Sequence, residues 1–280
     1  MGRYHRPLAL ADALATLAGG PATVVAGGTD VFPARLGRPF AEDVLDITGI
    51  TALKGIGLDG GWLRIGALAT WSELAQAPLP PWLDGIRRAA REVGGVQIQN
   101  AGTVVGNLCN ASPAADGVPS LLALDAEVEL ASSAGLRRIP VAEFVLGNRR
   151  TARRPEELAT ALLIPEPGPG ARSSFEKLGA RRYLVISIAM AAAVLEPAAD
   201  GTVGRIRVAV GACGPVARRL PALEAALRGL PLGPDLAGTV TPAHLDGLSP
   251  IDDVRGTAEY RREAALVLVR RAIRTLTEQA

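Results

Sequence analysis

Thiols, lysines and aromatic side chains are all scarce in this chain. Of 280 residues, two are cysteine, two histidine and 4% aromatic, and the only lysines are Lys54 and Lys177. Cys109 and Cys213 stand far apart and form no CxxC pair; this argues against a disulfide framework and fits a reducing cytoplasm. An iron–sulfur cluster needs about four thiolates, so this chain cannot hold one alone. His5 and His244 lack the companions that a metal site or a nucleophilic triad requires. No convincing acid–base pair stands out either, so no residue is assigned a catalytic role. An excess of one charge is also missing. Lysine and arginine total 30 against 28 acidic residues, which disfavours a nucleic-acid binder with a global basic field. Long hydrophobic runs are absent too: the longest, Tyr183 to Leu195, is too short to cross about 30 Å of hydrocarbon as a helix. Arg3, His5 and Arg6 precede the apolar run Leu8 to Leu17 much as in a secretion signal. Asp12 interrupts that run, however, and Leu10, Ala13, Leu14 and Leu17 share one helical face, which predicts an amphipathic first helix.

What remains is a globular composition, 48% apolar and 21% charged, with length for one large domain or two to three smaller ones. Strand and helix signals alternate in the first half. Val24 to Ala26 and Val44 to Ile47 read as strands, with room for one helical turn in Val31 to Leu36. Leu53 to Ile65 reads as a hairpin closing at Asp59-Gly60. Thr70 and Glu73 have capping-box spacing and start a helix. Trp82 to Val93 is amphipathic. Asp116 to Leu124 reads as a helix, and Glu127 to Ala131 as a strand. Glu166 to Gly170, a Pro/Gly run, is the best linker. Beyond it, Ser173–Leu178, Ile186–Leu195 and Val203–Gly211 read as strands, and Pro221–Leu227 and Thr257–Leu276 as helices. The second half therefore looks like a separate α+β domain.

Two segments invite chemistry. In Ala26-Gly27-Gly28-Thr29-Asp30, after a buried strand, missing Cβ atoms let backbone N–H groups converge on an anion such as a diphosphate. Taken alone, the segment fits a plain strand-to-helix turn better. From Gly94 to Ala115 there is no charged residue. An uncharged loop of that length is uncommon unless it lines a site. There Thr103, Asn107, Asn110 and Ser112 offer hydrogen bonds beside Gly102 and Gly106. Asp116, the next charge, either accepts from sugar or ribityl hydroxyls or caps the following helix. Gly55 to Gly60 matches GxGxxG but leads into a strand rather than a helix, so it is a hairpin. Lys177 either reaches a phosphate or flavin carbonyl, or is an exposed strand lysine, the commoner case.

Together, Ala26–Asp30 and Gly102–Asp116, with supporting matches at Arg3 to Leu14, Phe175 to Arg182, Gly211-Ala212 and Arg218-Arg219, resemble the flavin-binding medium subunit of molybdenum hydroxylases, the xanthine dehydrogenase and carbon monoxide dehydrogenase family. The resemblance implies an α+β fold: a PCMH-type FAD-binding domain over residues 1–166, with subdomains at about 1–55 and 56–166, then a smaller α+β domain over 171–280. It implies non-covalent FAD, with Val25, Ala26, Gly27, Gly28, Thr29, Asp30 and Val31 at the diphosphate. Gly102, Thr103, Gly106, Asn107, Asn110, Ser112 and Asp116 would hold the ribityl and nucleotide parts, and Lys177 would lie near the flavin. It further implies a cytoplasmic dimer of heterotrimers, with a molybdenum-cofactor large subunit and a small subunit carrying [2Fe-2S] clusters. Electrons would pass through FAD to NAD, oxygen or a quinone. The competing readings are a self-contained PCMH-type flavin oxidoreductase and a flavin-free interaction subunit. Val105 stands where the family usually has a second glycine and Gln99 where an arginine is common. A β-branched residue resists positive φ, which bears on the local loop geometry; FAD is still expected.

Overall fold

The computed structural model describes residues 2–182 and 184–278. Met1, Tyr183, Gln279 and Ala280, which fall within the expected domains and, for Tyr183, the apolar stretch, lie outside the described residues. The chain opens with β1 (Tyr4–His5), α1 (Leu10–Ala18), β2 (Ala22–Val25) and β3 (Asp43–Asp46). The three strands form a parallel sheet in the order β1-β3-β2, with Val24 opposite Leu45. Helix α1 carries the chain from β1 to β2, the two outer strands of this sheet, and buries Ala13 and Leu17. The helical turn expected at Val31 to Leu36 is a single 3-10 turn, Pro33–Arg35.

Next come the hairpin β4 (Ile56–Asp59) and β5 (Trp62–Gly66), then the helices α2 (Trp71–Gln76), α3 (Asp84–Glu92), α4 (Val96–Ala101), α5 (Val104–Asn110) and α6 (Gly117–Ala123). They are followed by β6 (Glu127–Ser132), β7 (Gly135–Pro140), α7 (Val141–Phe144), the short pair β8 (Val145–Gly147) and β9 (Arg150–Thr151), and β10 (Leu158–Pro165). The larger sheet is antiparallel, ordered β4-β5-β10-β6-β7. Its middle strand β10 is buried from Leu158 to Ile164, which is why it reads as a continuous apolar run rather than an alternating one. The uncharged stretch 94–115, expected as a loop, instead folds into α4 and α5 around Gly102. Six and seven residues are too few for a visible apolar period, so the pattern hid both helices.

The second half pairs β11 (Arg172–Leu178), β12 (Ala189–Pro197), β13 (Val203–Gly211) and β14 (Arg218–Arg219) in one antiparallel sheet, then adds α8 (Pro221–Leu227) and α9 (Ala258–Glu278). Successive side chains of a strand point to opposite faces. In β12, Met190, Ala192 and Val194 enter the core of the first half, while Ala189, Ala191, Ala193 and Leu195 enter the core against α9. Helices lie on both faces: α3 and α6 on one, α9 on the other. Alanine dominates β12 because both flanking layers approach closely. Arg270 of α9 donates to the Val240 carbonyl at 2.7 Å, and Arg261 is buried. No helix among the described residues is long and apolar enough to cross a membrane.

Candidate functional site

The site begins where the β2–β3 ladder stops. The Ile47 N–H bonds the Val25 carbonyl at 3.0 Å, and the next rung, from the Gly27 N–H, is not made. The N–H groups of Gly27, Gly28, Thr29 and Asp30 find no acceptor among the described residues. Glycine is forced here by contact. A Cβ on Gly27 would collide with the Ala101 carbonyl, and Gly28, at φ +69°, would drive one into the Phe32 ring. The β2 turn therefore abuts the α4–α5 junction directly.

That junction is pinned from behind. Thr70 caps α2 with a reciprocal Glu73 bond, and the Trp71 N–H donates to the Gly102 carbonyl at 3.1 Å while the Val104 N–H donates to the Ala69 carbonyl at 3.0 Å. Thr103 caps α5, its hydroxyl accepting the Gly106 N–H at 3.0 Å. Val105 is an ordinary buried helical residue, so no positive φ is needed there; the left-handed residue is Ala111, at φ 49°, which ends α5. The backbone conformation at position 105 therefore does not require a glycine, although the Val105 side chain lines the cleft between α5 and the β2 turn.

Between the two segments lies a cleft of about 510 Å³, a size usual for cofactor sites. Ala26, Gly27, Gly28, Thr29, Asp30 and Val31 line one wall, and Gly102, Thr103, Gly106, Asn107 and Asn110 line the other. Val25, Ser112, Asp116 and Lys177 do not line it. Val25 is buried in its strand, and the Ser112 hydroxyl accepts the Ala114 N–H at 3.3 Å. Asp116 makes no side-chain cap. Its carboxylate accepts instead from the Ser187 hydroxyl at 2.5 Å and from Lys177 Nζ at 2.8 Å. Lys177 also donates to the Glu92 carbonyl at 3.0 Å, so it is a buried structural cation and not an exposed strand lysine. Burial pushes the Asp116 carboxyl up, against the pull of Lys177.

Sequence reasoning missed Thr23, Arg35, Arg149, Arg153, Leu158 and Ala159, which are among the further lining residues. The readable signal was the run Arg149-Arg150 and Arg153-Arg154, lost in a chain where nearly every cation is arginine. Cys109 lines the cleft as well, its thiol pushed up to about 11 by burial. Among the described residues no group of three or more His, Cys, Asp and Glu side chains stands close enough to hold a metal ion.

The family model for the FAD binding domain in molybdopterin dehydrogenase matches residues 1–167. The chain belongs to that family. The CO dehydrogenase flavoprotein C-terminal domain matches residues 174–276. The chain is 34% identical to the carbon monoxide dehydrogenase medium chain of Afipia carboxidovorans, over 96% of this chain and 94% of that one. It is 31% identical to the nicotine 6-hydroxylase medium subunit of Paenarthrobacter nicotinovorans, over 97% and 95%. Reconstituted CO dehydrogenase from Oligotropha carboxidovorans contains a chain that superposes with a TM-score of 0.92 at 30% identity, covering 100% of this chain and 99% of that one. The α+β fold expected from sequence is therefore the fold of this family's flavoprotein subunits. A chain of this family with both matches along its length is an oxidoreductase subunit whose cofactor is FAD.

Proposed function

We propose that this chain is the flavoprotein subunit of a cytoplasmic, heteromeric molybdenum hydroxylase and binds FAD without a covalent bond in the cleft between β2 and α5. The observation that carries the reading is the pair of main-chain walls. Four amides at Gly27 to Asp30 lack acceptors among the described residues, and their segment shares a cleft with a helix start whose capping threonine and small residues leave room for a ligand. An anionic diphosphate needs donors and little bulk, and this chain has both there. Bound FAD would supply two-electron storage with one-electron exchange.

The protein's own residues bind and orient. Gly27 and Gly28 keep the turn close to α4, Thr103 fixes the first turn of α5, and Asn107 and Asn110 present side-chain amides along the wall. Val25, Ser112, Asp116 and Lys177 serve the site from behind: Lys177 holds the carbonyl of Glu92, next to the cleft residue Val93. The absence of an acid–base pair from the sequence reading suits a subunit that positions a ring. In the same proposal the chain divides at the 166–170 linker, and its partners are a molybdenum-cofactor subunit and a [2Fe-2S] subunit in a dimer of heterotrimers. Electrons travel from the clusters through FAD to NAD, oxygen or a quinone. The relatives named as medium chains of carbon monoxide dehydrogenase and nicotine 6-hydroxylase support this assembly.

The decisive experiment isolates the native complex through a tag on this chain and measures its contents. One FAD released per chain by denaturation, together with molybdenum and iron on co-purifying subunits, is the expected result. A colourless chain that recruits no such partner overturns the proposal.

A further inference from the structure

The outer edge of β13 has a gap in its hydrogen bonding. The Val208 N–H donates to the Glu224 carboxylate at 2.9 Å, and the Val208 carbonyl accepts from the Leu220 N–H at 2.9 Å. Both groups therefore point away from β12. In an antiparallel pair such outward rungs recur every second residue, and the register with β12 runs unbroken from Val210 to Arg205. The N–H and C=O of Ile206 thus point outward too, and neither finds a partner among the described residues. Ile206 is only 3% exposed, and the backbone groups of so buried a residue are almost always paired. On one side of this rung β14 covers Ala209 and Val210; on the other, the Leu230 carbonyl takes the Val203 N–H at 2.9 Å. A groove of about 490 Å³ opens on the rung between them, against α8. Its charged lining residues are Arg205, Arg219, Arg228 and Glu224. Glu224 and Asp125 answer Arg219 at 2.5 and 2.8 Å, and Asp125 also holds Arg205 at 2.7 Å. Arg228, exposed just past the end of α8, has no carboxylate partner among the described residues.

We propose that this groove receives the carboxyl-terminal end of an extended tail from another polypeptide. An open rung calls for one donor and one acceptor on the same residue, which is what an added strand supplies. A chain-terminal residue meets that need and the charge together. Its N–H donates to the Ile206 carbonyl, and its carboxylate accepts from the Ile206 N–H and from the Arg228 guanidinium. A fully ionised inorganic anion such as sulfate offers acceptors only and would leave the Ile206 carbonyl unpaired. A strand running straight through does not fit either, because residues 218–220 and 229–230 already occupy the edge on both sides. A chain end needs no exit. The last described residues of this chain do not supply the tail: α9 is helical through Glu278, and its Leu276 carbonyl accepts from Arg172 on β11, at the opposite edge of the sheet. The groove shares no lining residue with the cleft between β2 and α5, so it stands or falls separately from the flavin reading.

The test presents the full-length chain, free of other subunits, to a library of short random peptides immobilised by their N-termini, each made with a free and with an amidated C-terminus. The expected result is a subset whose free-carboxylate form binds about tenfold or more tightly than its amide, since a charge-assisted contact is lost on amidation. Arg228→Glu abolishes that preference. Ala225→Glu, at an exposed α8 position lining the groove, weakens the same peptides, and both variants melt like wild type. In the wild-type chain, hydrogen exchange at the Ile206 amide slows when a selected peptide is added. Equal binding of free and amidated forms, or no binding by any peptide, overturns the proposal. So does unchanged affinity in folded Arg228→Glu, or displacement by sulfate at the peptide's own concentration, which would mark a simple anion site. An Ile206 amide that exchanges at one rate with and without peptide overturns it whatever the variants do.

Discussion

Lys177 Nζ lies 2.8 Å from the Asp116 carboxylate, with both side chains at least nine-tenths buried. The pair joins β11 of the second half to the start of α6 in the first, and Ser187 adds a hydroxyl from the following loop. One cation, one carboxylate and one hydroxyl therefore fix the seam behind the cleft. A buried ion pair need not stabilise relative to apolar residues, but breaking one leaves an uncompensated charge.

Replacing Lys177 with Met should therefore be severe. The loss is about 3–5 kcal/mol for a buried pair broken on one side, read as a shift of the urea midpoint with unchanged slope. Burial already raises the Asp116 carboxyl, so Asp116→Asn should be milder than Lys177→Met, and the double variant should regain part of the loss. Equal, additive losses would mean that the two side chains are not coupled.

Gly27→Ala tests the contact between the β2 turn and α4. The added methyl meets the Ala101 carbonyl, which is backbone and cannot swing away. Overpacking of this kind costs about 1–3 kcal/mol. The expected result is a folded chain of lower melting temperature with less FAD bound per chain, measured by absorbance after gel filtration. Gly57→Ala, where a Cβ meets nothing within 4 Å, is the matched control.

Long or strongly patterned elements were legible in the sequence. The capping box at Thr70 and Glu73, the β4–β5 hairpin, β13 and α9 all announce themselves by local chemistry. The two glycine-bearing walls were legible too, because the absence of side chains is itself a pattern. Asp116, the first charge after a neutral run, and Lys177, one of two lysines among arginines, bond each other rather than line the cleft, and sequence carries no sign of that pairing across 61 residues. The helices α4 and α5 are shorter than two full turns of apolar repeat, and β8 and β9 span three and two residues. Such elements are set by tertiary contacts, the Thr103 cap and the Gly102 hydrogen bonds among them, rather than by propensity.

Acid should loosen the mouth of the cleft. The Thr23 hydroxyl, with the Arg35 guanidinium, holds Glu42 down to about 2 from its ordinary 4.5. A depressed folded-state pKa contributes stability that is complete above the unfolded value and lost as pH falls through the folded one. The melting temperature should therefore drop between about pH 4.5 and pH 2, and Glu42→Gln should flatten part of that slope. Asp43, also held down to about 2 by Arg3 and His5, keeps the remainder. A Glu42→Gln profile parallel to wild type would show that Glu42 is unlinked to folding.

Cys109 gives a chemical probe of the same cleft. Alkylation requires the thiolate, and burial puts both thiols, Cys109 and Cys213, at about 11. Near neutral pH iodoacetamide should label either one slowly, with a rate that climbs as pH rises toward that value. The two differ in position: Cys109 lines the cleft and is only partly buried, whereas Cys213 is buried in the core against α9. Peptide mass spectrometry of the flavin-free chain should find Cys109 labelled before Cys213. Added FAD should suppress labelling at Cys109 and leave Cys213 unchanged, because only the first shares the space that the dinucleotide would fill. Equal protection of both would point to a general tightening of the fold, and no protection of Cys109 would move the ligand out of this cleft.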